Sequence, residues 1–258
     1  MNWRLVRRYF IALGAVLLAL SSITWGADKA ANNADSDVVK RIQKSADVLN
    51  EIMGTPDKAI PNEIFEDAKC VAVVPSMVKF AIVVGGNHGK GVATCRTAKG
   101  WSAPAPITIT GGSWGLQLGG QAIDLVLLVM NQKGMDHLLS SKFKIGADAS
   151  AAAGPVGRSA EASTDWKMKS EILSYSRARG VFAGVDLSGS AITQDKDETR
   201  VLYGRMVPFE TILNGKVEPP AGSQPFLATV RKYATQAKES GANHPSGNEE
   251  ALPSKSLR

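Results

Sequence analysis

Between Cys70 and Met130 the chain runs through CVAVVP, FAIVVGG, GVATCR, APITIT, LQLGG and IDLVLLVM, six short β-rich segments punctuated by glycine and proline. Such punctuation is the pattern of antiparallel strands joined by tight turns. A helical interruption follows in NQKGMDHLLSSKF, and then KIGADASAAAGPVGRSAEAST, a stretch of Ala, Gly and Ser. By composition alone it reads as a linker. Two further strand-like runs flank a turn at Arg179-Gly180 in SEILSYSRARGVFAGVDLSGSAIT, so the small residues are assigned instead to strands that meet other backbone closely.

Helices are expected on either side of this β-rich centre. In Asp37–Met53, Val38, Val39, Ile42, Ala46, Leu49, Ile52 and Met53 recur at spacings of one, three and four. That is an amphipathic helix with Ser36 as N-cap, and its Lys40, Arg41 and Lys44 are balanced by Asp37, Asp47 and Glu51. Gly54 closes it and Pro61 opens a short helix, PNEIFEDAK, with acids in its first turns. DKDETRVLYGR and PFETILNG read as short helices, and Pro225–Lys238 as the last one.

The first 27 residues have the order of a secretory signal: Arg4, Arg7 and Arg8, then an apolar run from Phe10 to Ile23, then small residues around Gly26 and Ala27. The run is shorter than the roughly 20 residues that span a bilayer. Cleavage is therefore expected, with an uncleaved anchor as the alternative, and the mature chain is expected to be exported, periplasmic or envelope-associated. Losing the leader leaves 27 basic against 24 acidic residues, a net charge near +3. This mild excess points to neither nucleic acid nor membrane by itself. Residues 28–36 read as a flexible lead-in, 37–238 as one domain and 239–258 as a disordered tail. At 44% hydrophobic and 21% charged, the composition supplies a sizeable core.

Two cysteines suit an exported chain. Cys70 opens one strand-like run and Cys95 closes the next but one, so an antiparallel hairpin sets them at matching ends. A Cys70–Cys95 disulfide is expected; two buried free thiols are the alternative.

Gly111-Gly112-Ser113-Trp114-Gly115 spells the G-x-S-x-G of a nucleophile elbow, but glycines and a β-rich run follow where the helix should be. The histidines after Ser113 are His137, close by, and His244 in the tail, which is the wrong disposition for a triad. A glycine-rich turn or bulge carrying Trp114 on a packed face accounts for the motif. GGNHGKG lacks the first glycine and the final Ser or Thr of a phosphate loop and reads as a tight hairpin loop. His88, His137 and His244 are too scattered for a metal site, and no cofactor is implied. Basic residues are not interleaved with aromatic platforms, so no nucleic-acid partner is expected.

The segments AKCVAVVPSMVKFAIVVGGNHGKGVATCR, GWSAPAPITITGGSWGLQLGGQAIDLVLLVMN and KFKIGADASAAAGPVGR, with EILSYSRARGVFAGVDLSGSAI and LYG after them, resemble the SYLF domain family, especially its exported bacterial branch. The likeness runs from about Pro61 to Gly204. It implies a lipid-binding module without enzymatic activity, in which the G-x-S-x-G stretch is an ordinary part of the sheet. Eukaryotic members bind phosphoinositides and in some cases actin; an exported bacterial-type chain meets no actin, so the implied partner is anionic membrane lipid. Some members engage membranes through a basic amphipathic helix at the position of Asp37–Met53. The cations the resemblance offers for headgroups are Lys40, Arg41, Lys44, Lys79, Lys90, Lys142, Lys144, Arg158, Arg177 and Arg179. The expected architecture is α+β, a central antiparallel, partly barrel-like sheet stapled by Cys70–Cys95 and flanked by helices at both chain ends. A structural or protein-interaction domain of the envelope is the alternative function, and a hydrolase the second.

Overall fold

The structure is a computed structural model and describes residues 36–55, 59–81, 84–114, 119–156, 170–178, 181–183 and 187–242. The leader, the lead-in before Ser36, Arg158 and the Arg179-Gly180 turn lie outside these residues.

Strand β1 (Cys70–Ala81) sets the layering. Side chains alternate across a strand, and here both sets are buried: Cys70, Ala72 and Val74 enter one core cluster, Val71 and Val73 the other. The sheet that contains β1 must therefore be covered on both faces. Its strands are β2 (Val84–Thr97), β3 (Gly100–Trp101), β4 (Ala105–Trp114), β5 (Gly119–Val129), β6 (Lys142–Lys144), β7 (Ala151–Ala153), β8 (Ile172–Ala178), β9 (Val181–Ala183) and β10 (Ser190–Gln194). The order is β6-β10-β4-β2-β1-β5-β8-β7, with β3 added to β2 and β9 to β8. Every pairing is antiparallel except β7 with β8.

The two edge strands, β6 and β7, are consecutive in the chain and joined only by residues 145–150, within which Ile145 bridges Ala149. The sheet must curl until its edges nearly meet, which makes it a half-barrel. Phe143 of β6 and Ala151 of β7 contribute to the same cluster, so that cluster fills the curl. Helices α3 (Gln132–Leu139) and α5 (Phe209–Leu213) add Leu138, Phe209, Ile212 and Leu213 to it.

The convex face is covered by α1 (Asp37–Met53), α2 (Asn62–Asp67) and α6 (Gln224–Ala242). The stripe Val38, Ile42, Ala46, Leu49 and Ile52 of α1 is buried there, as its spacing predicts. Helix α4 (Lys196–Tyr203) supplies Leu202. Helix α6 continues through Ala242, so the first four residues of the expected tail are helical.

The glycine run 85–91 differs from its expected role as a hairpin loop. Ala81 pairs with Gly85, and Gly85–Gly91 lies inside β2. The cause is a bulge in β1. Register shifts between Val73 and Val78 against β2, and Ser76 takes φ 52° there with its N–H donating to Asp124 Oδ1 at 3.0 Å. Where the bulged strand presses on β2, a Cβ on Gly91 would fall 2.1 Å from the Val73 carbonyl oxygen, and one on Gly89 2.7 Å from Val74 Cγ1. Gly111–Trp114 is likewise strand rather than turn, with Ser113 opposite Gly85. Among the described residues, Ser113 lies within β4 and the next element is strand β5, not the helix of a nucleophile elbow. Cys70 and Cys95 stand opposite each other in the ladder and form the disulfide.

Candidate anion-binding cleft

Three of the expected headgroup cations hold the fold together. Arg41 of α1 pairs with Glu198 of α4. Lys90 of β2 reaches Asp195 Oδ2 at 2.7 Å and Glu198 Oε1 at 3.1 Å. Asp195 also accepts the Glu198 N–H at 3.0 Å, capping α4, and the Thr108 hydroxyl at 3.1 Å. Burial pushes the Asp195 carboxyl up, but the Glu198 N–H, Lys90 and Thr108 outweigh it and hold the group below its ordinary range. The Asp195 hydrogen bond raises the Lys90 ammonium against the lowering effect of burial. Arg177 of β8 binds Asp124 Oδ2 at 3.0 Å and Glu51 of α1, so the carboxylate that accepts from the Ser76 bulge also ties β5 to β8 and the helix layer.

The other candidates are dispersed. Lys40 and Lys44 are exposed on α1, Lys142 and Lys144 are exposed on either side of buried Phe143, and Lys79 is half-buried on β1. Arg158 and Arg179 lie outside the described residues.

A different set of residues forms a cleft of about 580 Å³ between the β2–β3 hairpin and α6, lined by Arg96, Trp101, Arg231, Ala234, Thr235, Lys238 and Glu239. Arg96 and Trp101 are paired across the hairpin, which puts both side chains on one face, and the guanidinium lies 4.6 Å from the centre of the indole ring. Arg96 Nε donates to the Ala68 carbonyl at 2.8 Å, and Nη2 to those of Glu66 at 3.0 Å and Phe65 at 3.3 Å. These are the open carbonyls at the end of α2, where a cation suits the helix dipole. Burial lowers the Arg96 pKa, opposed by Glu66 and Asp67.

The other wall follows from helical spacing. Phe226, Leu227, Val230, Tyr233 and Ala237 bury one side of α6, and Arg231, Ala234, Thr235 and Lys238, at i, i+3, i+4 and i+7, share the other. Arg231 Nε donates to the Leu227 carbonyl at 3.1 Å and Nη2 to Gln224 Oε1 at 3.2 Å, steadying the side chain on its own helix. The cleft gathers three cations, one acid and an aromatic wall, a set suited to an anion with some apolar surface.

None of the expected cations lines this cleft. The available signal was local: RTAKGW is a hairpin whose Gly100 at φ 115° allows the two-residue turn, so Arg96 and Trp101 must be neighbours. Among the described residues no group of three or more His, Cys, Asp or Glu is placed to hold a metal ion.

Residues 110–233 match the family model Ysc84, described as Las17-binding protein actin regulator. LAS seventeen-binding protein 3 of Saccharomyces cerevisiae is 31% identical over 189 residues, which cover 72% of this chain and 41% of the relative. Protein YSC84 of the same yeast is 31% identical over 202 residues, 74% of this chain and 43% of its own. The SH3 domain-containing YSC84-like protein 1 of Rattus norvegicus is 28% identical over 217 residues, 81% and 64% respectively. The chain thus spans about two fifths of the length of the yeast relatives and under two thirds of the rat one.

Proposed function

Because the chain carries a domain of the SYLF (Ysc84) family, we propose that it is a non-enzymatic binding module that docks on an anionic membrane surface through the Arg96–Trp101–Arg231–Lys238 cleft. The observation that carries the reading is the chemistry of that cleft. Arg96 hydrogen-bonds to carbonyls rather than carboxylates, with Glu66 and Asp67 near it but not in contact as ion pairs, and Arg231 and Lys238 face the same space. A phosphate-bearing headgroup answers three cations, and the indole offers an apolar wall to the glycerol and upper acyl region.

The setting we propose is exported, at a bacterial envelope membrane. Two features support it: the Arg-led apolar leader in residues 1–27, and the Cys70–Cys95 disulfide, a bond that persists in oxidising compartments. The test is co-sedimentation of residues 28–258 with vesicles of graded phosphatidylglycerol content. Binding should rise with anionic lipid, weaken between low and physiological salt, and fall about tenfold or more in Arg231→Glu/Lys238→Glu. Absence of binding at every composition sinks the proposal.

The names of the matched family and of the yeast relative favour a second reading, protein interaction, since they describe proteins that bind LAS17 or regulate actin. Charge-indifferent vesicle binding together with a co-purifying protein partner would select it.

A further inference from the structure

Three large hydrophobic side chains stand out as exposed among the described residues: Val78, Val201 and Met206. Two of them lie five residues apart across one helix end. The sequence there is TRVLYGRMVPF, residues 199–209, with two arginines and no acid. Its exposure alternates sharply. Leu202 and Val207 are buried at 9% and 3%, whereas Val201 and Met206 are 48% and 37% exposed, flanked by exposed Arg200 and Arg205.

This corner is held in place. Gly204 closes α4 in the left-handed conformation at φ 68°, and the Tyr203 hydroxyl donates to the Pro104 carbonyl at 2.8 Å. Helix α4 starts where Asp195 meets Thr108 and ends where Tyr203 meets Pro104, so it runs antiparallel to β4 toward the strand's beginning. That is the end of the sheet where β2 finishes at the β3 hairpin, carrying Arg96 and Trp101. The corner and the cleft therefore open at the same end of the sheet.

We propose that the α4–α5 corner is a membrane wedge: Val201 and Met206 enter the headgroup and upper acyl region of an anionic bilayer while Arg200 and Arg205 hold its phosphates. The inference rests on the membrane-docking reading of the cleft and adds to it an apolar, salt-insensitive element. Arg200 also pairs with Asp197 at 2.7 Å, an exposed contact that lipid phosphate can replace. Arg205, which follows the helix end, supplies the second positive charge without an adjacent acid in sequence. Basic residues beside exposed apolar ones are the composition that an anionic interface recognises, the apolar part entering and the charges staying at headgroup level.

The test uses vesicles of equal phosphatidylglycerol and phosphatidylcholine. Among the described residues there is no free cysteine, so the thiol of Met206→Cys can be labelled with a polarity-sensitive fluorophore. Ala122→Cys, exposed at the opposite end of the β1–β5 ladder, is the control. The label at 206 should shift to the blue and be quenched by brominated acyl chains, and that at 122 should do neither. Val201→Gln/Met206→Gln, both at exposed positions, should keep the unfolding temperature and lose about tenfold in vesicle affinity, most visibly in high salt where the cleft's contribution is screened. Vesicle binding with a solvent-exposed label at 206, or with affinity unchanged in the double variant, overturns the wedge and leaves the cleft reading standing. No binding of the unmodified protein to any vesicle overturns both.

Discussion

Replacing Lys90 with Met separates a structural cation from a lipid ligand, because the ammonium sits between two carboxylates that the fold has largely removed from water. Asp195 is 8% exposed and the Glu198 side chain 12%, with Lys90 Nζ at 2.7 and 3.1 Å from them. Removing the ammonium leaves Glu198 with Arg41 and leaves Asp195 with the Glu198 N–H and the Thr108 hydroxyl. Stripping a buried charge of its partner costs about 3–5 kcal/mol, and an exposed pair contributes about 0–1 kcal/mol. The Lys90 side chain is 37% exposed, which places the pair between those limits after allowance for solvent screening. The expected loss is about 2 kcal/mol, or roughly 4–8 °C in unfolding temperature for a domain of this size.

The pH dependence has a definite sign. Asp195 is held below its ordinary value of 3.8, so the stability it contributes is present above that pH and fades as the pH falls through its lower folded-state value. Lys90 is raised above 10.5, so its contribution is present below that pH and fades as the pH climbs through the higher folded-state value. The gap between wild type and Lys90→Met, measured by urea unfolding, should be flat from about pH 5 to 9 and narrow below about pH 4 and above about pH 10.5. Lys44→Met, at an exposed position on α1, should stay within about 0.5 kcal/mol. Vesicle affinity of Lys90→Met should match wild type. Unchanged stability combined with lost vesicle binding would refute this assignment and return Lys90 to the headgroup site.

Gly91→Ala should destabilise by about 3 kcal/mol in urea titration, because the added methyl meets the Val73 carbonyl oxygen at 2.1 Å, whereas Gly112→Ala, with open space around its Cβ, should be neutral or slightly stabilising. Equal tolerance at both positions would contradict the close packing of β2 on the bulged β1. Cys70→Ala/Cys95→Ala, which opens a loop of sequence separation 25, should lower stability by about 3 kcal/mol while far-ultraviolet circular dichroism keeps its shape. A variant as stable as the oxidised protein would mean that the staple contributes nothing.

Elements whose pattern is local were legible in the sequence. The stripe of α1 is buried as its spacing demands, and the flanks of Cys70 and Cys95 pair as a hairpin that brings the sulfurs together. The glycine run is not legible as a strand because its cause is not local. Gly89 and Gly91 are required by the bulge near Ser76, across the ladder on β1, and nothing within GGNHGKG says so. Charge was the least legible property. Arg41 meets an acid 157 residues away, Lys90 one 108 away and Arg177 one 53 away, and a sequence cannot distinguish such a partnered cation from a free surface one. The cleft has the same origin: Arg96 and Arg231 come together only because a hairpin register and a helix face converge.

The ion pairs also explain how a chain with only a mild excess of basic residues can present a basic end. Away from that end each of Arg41, Lys90 and Arg177 contacts a carboxylate, so their fields largely cancel within a few ångströms. At the Arg96 end the hydrogen-bond partners are three peptide carbonyls, which orient the guanidinium, while Glu66 and Asp67 act on it electrostatically without a direct ion pair. Arg231 is likewise steadied by a carbonyl and an amide oxygen. Glu239 is the single acid in the cleft lining, against three cations. On the membrane-docking reading, an anionic surface, sensed over a Debye length of about 8 Å at physiological salt, is drawn to this end. On the membrane-docking reading the half-barrel stands with its β2–β3 hairpin toward the bilayer, which brings the Arg200–Met206 corner down beside the cleft.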